Sequence, residues 1–160
     1  MRILRNGFFV AFVVAGIVAS LSTLNAATQT TNDIEITDAF VQIVPHSTKS
    51  AAAFLTITNN TDQDIALLSA QSTISKNTEL HQHIHQDNGV MQMVQVPQIL
   101  IKSHSSTALA PGGYHIMFIN LLKPLTQGQK VSLSLHFSND TVIELEDIII
   151  VQPTSHHTHH

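Results

Sequence analysis

Between His81 and Met117 the chain reads HQHIHQDNGVMQM, then a variable middle, then PGGYHIM. Histidines alternate at 81, 83 and 85, and methionines alternate at 91 and 93. His115 and Met117 form a His-x-Met pair behind Pro111-Gly112-Gly113. On an extended strand residues two apart share a face, so each set presents its donors in one direction. Imidazole binds several metals, whereas a thioether sulfur is soft and uncharged, suiting Cu(I) and doing little for Zn, Mg or Ca. The methionines therefore carry whatever metal discrimination the stretch has. Neutral donors of this kind would hold Cu(I) without supplying an acid or a base, which is the equipment of a carrier. No nucleophile–base pair accompanies them, and Asp87, the carboxylate within the cluster, reads as a turn residue.

Ordinary roles compete with the chemical ones. A methionine in a β protein is usually core filler, and Met91 fits that role. His46, His104 and His136 read as surface or satisfied polar residues, His136 facing solvent from a strand of alternating leucines. His83 and His85 also fit as exposed strand residues. On residue types alone, a copper site and a general histidine metal site remain equally open.

The elements that must position these donors are strands. Residues from Ile34 (IEITDAFVQIV) show near alternation and many β-branched residues. Ser50 to Thr58 is a second strand closed by Asn59, Asn60, Thr61 and Asp62, and Ile65 to Ser72 a third. Glu79–His85 and Val90–Val96 form a hairpin around Asp87-Asn88-Gly89. Ile99–Lys102 and Ser106–Leu109 form a further pair. Pro111-Gly112-Gly113 supplies a tight turn before Tyr114–Leu122, and Val131–Phe137 and Thr141–Val151 complete the set. No convincing helical period occurs after the N-terminal segment. Many short strands at close spacing predict an all-β sandwich or barrel.

Bulk properties agree. At 160 residues there is room for one domain with a real core. Only 11% of residues are charged against 43% apolar, and the net charge is −4, so the clustered Lys and Arg that grip nucleic acid are missing. Trp is absent and aromatics are few, which disfavours a stacking platform for sugars or bases. Cysteine is absent, excluding disulfides, thiol nucleophiles, iron–sulfur clusters and lipid-modified cysteine. A blue-copper electron-transfer centre, which needs a thiolate, is excluded as well.

Residues 1–27 have the parts of a secretory signal: Arg2 and Arg5, an apolar core from Phe8 to Leu21, and small residues for cleavage after Ala26 or Ala27. The apolar run is shorter than the roughly 20 residues of a spanning helix, which disfavours a membrane anchor. Losing Arg2 and Arg5 leaves a mature net charge of −6. A cysteine-free exported domain fits the bacterial periplasm. Residues 28–33 are a polar lead-in, 34–152 the β domain, and 153–160 (PTSHHTHH) a flexible tail whose histidines favour metal capture without fixed geometry.

The pattern His81, eleven residues, Met93, twenty-one residues, His115, one residue, Met117 resembles the ligand signature of the periplasmic copper chaperones called PCu(A)C. Glu79-Leu80-His81, Asn88 to Met93, Pro111 to Met117 and Lys123-Pro124-Leu125 before Gly128 match its flanks, and the likeness runs from about Ile34 to Val151. The resemblance implies a cupredoxin-like Greek-key β-barrel or sandwich in which His81, Met93, His115 and Met117 bind Cu(I) at the surface. It further implies delivery of copper to a receiving protein, a cytochrome oxidase subunit or another copper chaperone, during assembly of the oxidase copper centre. Many relatives carry Met directly after the first histidine or four residues beyond it, where this chain has Gln82 and His85. That exchange opens a place for Cu(II) at auxiliary histidines. The competing function is a periplasmic zinc or copper buffer built on His81, His83, His85 and the tail.

Overall fold

The computed structural model describes residues 33–152 except 45, 46, 48, 87 and 88. The segment expected to direct export, most of the lead-in, the His-rich tail, His46 and Asp87 lie outside the described residues. Ten strands and no helix occur among those described: β1 Ile34–Ile43, β2 Ser50–Asn59, β3 Ile65–Gln71, β4 Ser75–His85, β5 Met91–Gln95, β6 Ile99–Ile101, β7 Ser105–Leu109, β8 Tyr114–Leu121, β9 Lys130–Phe137 and β10 Val142–Val151.

Period-2 patterning decides which side chains form the core. On β2, Ala51, Ala53, Leu55 and Ile57 face the main core, while Ala52 and Phe54 face the other way and join Met117 in a second, smaller apolar cluster. On β9, Val131, Leu133, Leu135 and Phe137 point inward. His136 lies on the opposite face as expected, but is half-buried with its Nε2 covered and lacking a hydrogen bond, so it does not simply face solvent.

The near alternation of the first strand conceals a slip of phase. Ile34 and Ile36 pack inward before Asp38, and Ala39, Val41 and Ile43 after it. Asp38 takes the left-handed conformation, with φ 54°, where the β1–β2 register shifts. β10 repeats the device: Ile143 and Leu145 precede Asp147 (φ 60°), Ile148 and Ile150 follow it, and the β9–β10 register shifts there. Asp tolerates positive φ better than most residues. One extra residue per strand forms a bulge that bends and twists it.

The strands form one open ladder in the order β5-β4-β8-β7-β2-β1-β10-β9-β3-β6, with β8 also pairing β2. β1–β10 and β7–β8 are parallel and the other pairings antiparallel. β3 touches β4 although six strands separate them in the ladder, so the sheet folds over itself as a sandwich around one core. It does not close: β5 and β6 are its edges.

Two expectations need correction. β6 and β7 do not pair with each other; β6 joins β3, and β7 joins β2 and β8. The strand expected from Glu79 starts earlier, at Ser75, because Ser75 and Asn77 pair with Leu121 and Ile119 of β8. Asn59 sits fully buried where β2 ends. Its amide donates to the carbonyls of Gln63, Ile101 and Lys102, and its Oδ1 accepts from the Thr61 N–H and hydroxyl.

Candidate metal centre

Three adjacent strands at one margin of the sheet, β5, β4 and β8, carry His81, His83, His85, Met91, Met93, His115 and Met117. Apart from Met1, all methionines of the chain fall here, at 91, 93 and 117. The register places His81 opposite His115, His83 opposite Met93, His85 opposite Met91, and Met117 beside Ala52 of β2. Cross-strand partners share a face, so the four residues singled out by the sequence lie on one side of the sheet, outside the main core.

Their surroundings differ. His115 is 2% exposed, His81 and Met117 are 8% exposed, and Met93 is 43% exposed. Met117 owes its burial to the small apolar cluster of Ala52 and Phe54, with Phe40, Val44 and Ile119 against it. Phe54 leans on Phe40, ring centroids 5.3 Å apart, and its other neighbour is His115 at 6.2 Å. A cavity of about 270 Å³ opens above this cluster, lined by Met93, His115, Met117 and His83 among others. Met91 is not core filler: it is 47% exposed on the edge strand. His104, as expected, is a surface residue, its Nε2 2.7 Å from the Asp62 carboxylate.

Hydrogen bonding assigns the tautomers. The His115 Nδ1 lies 3.2 Å from the Gly113 carbonyl, which only accepts, so Nδ1 carries the proton. Nε2 then holds a bare lone pair, and it lies 3.1 Å from the Met93 Sδ. Sulfur in a thioether has no proton to give. Two electron-pair donors thus face each other at close range, an unfavourable arrangement that a soft cation bound by both would turn favourable. Burial holds the His115 imidazole below its ordinary pKa; the Gly113 carbonyl works against this, and the nearby His83 and His81 add to it. A neutral imidazole is the form that ligates metal.

His81 follows the same logic with different partners. Its Nε2 lies 2.8 Å from the Glu79 carboxylate, so Nε2–H donates and the acid orients the ring. Its Nδ1 is covered and has no hydrogen-bond partner among the described residues. A histidine tied to a carboxylate through one nitrogen and open at the other is the usual arrangement of a metal-ligating imidazole. His81 and His115 have ring centroids 5.8 Å apart, although His81 is not among the residues lining the cavity.

Sequence reasoning left His83 open, as an exposed strand residue or as an auxiliary metal-binding histidine. The structure stacks its ring on His115 at 4.9 Å and places it in the cavity lining. Its period-2 relation to His81 was the available signal. His85 lies farther along the same face, exposed. Among the described residues, no three His, Asp or Glu side chains form a metal-holding group by themselves, so a full coordination sphere here draws on thioether sulfur.

Known proteins share the fold. The Cu(I)-bound solution structure of DR1885 from Deinococcus radiodurans is 26% identical with a TM-score of 0.55, covering 73% of this chain and 76% of that one. The copper-bound PCuAC domain from PmoF2 is 17% identical with a TM-score of 0.62, covering 76% and 94%. The apo PCuAC domain from PmoF1 is similar, at 17% identity and a TM-score of 0.64, covering 76% and 95%. Among curated proteins, "Putative lipoprotein Lxx21020" of Leifsonia xyli subsp. xyli (strain CTCB07) is 28% identical over 134 residues, 81% of this chain and 80% of that protein. The family described as "Putative lipoprotein LpqE-like" matches residues 34–148, spanning every strand from β1 into β10. The chain belongs to this LpqE-like family.

Proposed function

We propose that this chain is an exported Cu(I)-binding metallochaperone, with His81, Met93, His115 and Met117 as its ligands. The observation that carries the reading is the His115 Nε2 facing the Met93 Sδ at 3.1 Å beside the buried Met117. Imidazole and thioether together select Cu(I) over Zn, and the copper-bound forms in which DR1885 and the PmoF2 domain were solved support the same cargo. Exposure of Met93 on an edge strand suits release by ligand exchange: an incoming donor from a receiving protein replaces the exposed sulfur first, while the buried imidazoles hold the ion. The receiving protein in this reading is a cytochrome oxidase subunit or a second copper chaperone in the periplasm. No step requires the protein to act as an acid or base, so it is a carrier and not an enzyme.

The competing function, a general zinc or copper buffer on the histidines and the tail, makes the methionines dispensable. Replacing Met93 and Met117 together by Ile separates the two. The double variant is expected to lose at least about a hundredfold in Cu(I) affinity, some 2.7 kcal/mol, in a chromogenic competition assay, with its fold intact. Unchanged affinity would remove the assignment.

A further inference from the structure

The ligand set just proposed leaves one thioether of this face unused. Met91 is 47% exposed at the start of the edge strand β5, so it fills no core. It pairs with His85 across the β4–β5 hairpin, one step beyond the pairing of Met93 with His83. Cross-strand partners share a face, with Cβ atoms about 5 Å apart, and residues two apart on a strand lie about 7 Å along it. His85 and Met91 therefore stand on the copper face one pair farther out than Met93, and neither lines the cavity. The hairpin loop fixes them in place. The Gln86 N–H donates to the Val90 carbonyl at 2.9 Å, and the Gly89 N–H to the Gln86 carbonyl at 2.9 Å. The side-chain amides of Gln86 and Gln92 bond to each other as well.

We propose that His85 and Met91 form a second, outer Cu(I) site, where the ion stands while entering or leaving the four-donor site. The inference rests on the copper reading above and adds to it the route the ion takes. The pair repeats the chemistry of the inner site, one imidazole and one thioether, and the sulfur again favours Cu(I) over harder ions. Two exposed donors hold the ion more weakly than four of which three are buried. The outer pair is therefore the one a receiving protein strips first. Met93, itself 43% exposed, stands between the two sites on β5 and passes the ion across. Each step forms one metal–donor bond as another breaks, and copper stays Cu(I) throughout.

The test uses the full mature chain, residues 28–160, with His156, His157, His159 and His160 replaced by Asn so that the tail takes no copper. Its methionines are Met91, Met93 and Met117, and their methyl NMR signals follow an anaerobic Cu(I) titration. The first equivalent is expected to move the Met93 and Met117 methyls, and the second the Met91 methyl together with the His85 ring signals. The second is expected to bind at least about tenfold more weakly than the first. Met91→Ile is expected to keep the affinity for the first equivalent and to leave the His85 ring unmoved by the second. It is also expected to slow release of the first equivalent to the chelator bathocuproine disulfonate by at least about threefold. Met91→Leu serves equally should the Ile variant lose the dispersed amide spectrum of the folded protein. A Met91 methyl unmoved at two equivalents, one that moves with the first, or an unchanged release rate in the variant would each overturn the proposal. Met93 and Met117 methyls unmoved by the first equivalent would instead defeat the underlying carrier reading, whatever Met91 does.

Discussion

Protons and metal compete for the same atoms on this face, and at His115 burial weakens the proton's hold. Its burial disfavours the charged form, so the folded pKa lies below the unfolded value near 6.5. Between those two values the unfolded chain binds the proton and the folded chain does not, and stability rises with pH wherever the unfolded state binds more protons. The contribution of His115 is thus fully present above about pH 6.5 and is lost as pH falls towards and through the folded pKa. The urea midpoint of the metal-free protein is expected to fall between pH 7.5 and pH 5, and His115→Asn to flatten that fall. An unchanged pH slope in the variant would contradict the burial argument. The same residue explains what the sequence could and could not convey. Period 2 grouped His81 with His83 and His85, Met91 with Met93, and His115 with Met117; the choice of His81, Met93, His115 and Met117 as one set came from the resemblance to the copper-chaperone signature. Neither revealed that Gly113 chooses the tautomer, or that Glu79 holds His81, since both depend on where a turn and a carboxylate come to rest.

Most strand boundaries and identities, the start of β4 excepted, were legible because alternation of apolar residues is a local signal. Strand partners were less so. β6 and β7 are adjacent in the chain and were expected to pair, yet each is committed to a different neighbour; pairing depends on the whole ladder rather than on proximity. The slips at Asp38 and Asp147 were present in the sequence as a change of phase, but an alternating pattern with one residue added still reads as a strand. Asn59 shows how a residue that reads as turn chemistry can become a structural pin. It bonds three carbonyls, two of them at the end of β6, and receives two bonds from Thr61. Asn59→Leu leaves those groups unsatisfied in a buried place and is expected to cost about 3 kcal/mol, read as a lowered urea midpoint with little change in slope. A variant as stable as the parent would mean that β2 and β6 are held together by their apolar contacts alone.

At the scale of the molecule, one sheet provides both the core and the site. Inward-facing residues of β2, β8 and β9 build the main core, and the outward face of β2 and β8 supplies a small apolar floor on which Met117 and His115 rest. The opening lies towards the β5 edge, where Met93 is accessible to a partner. The family is described as one of lipoproteins, and these 160 residues contain no cysteine. The choice between soft and hard metal chemistry ultimately rests on whether the sulfurs of Met93 and Met117 touch the ion. X-ray absorption of the mature protein loaded with one equivalent of Cu(I) measures that contact directly. Mixed sulfur and nitrogen scattering in the first shell is the predicted result; a shell of nitrogen and oxygen alone would contradict it.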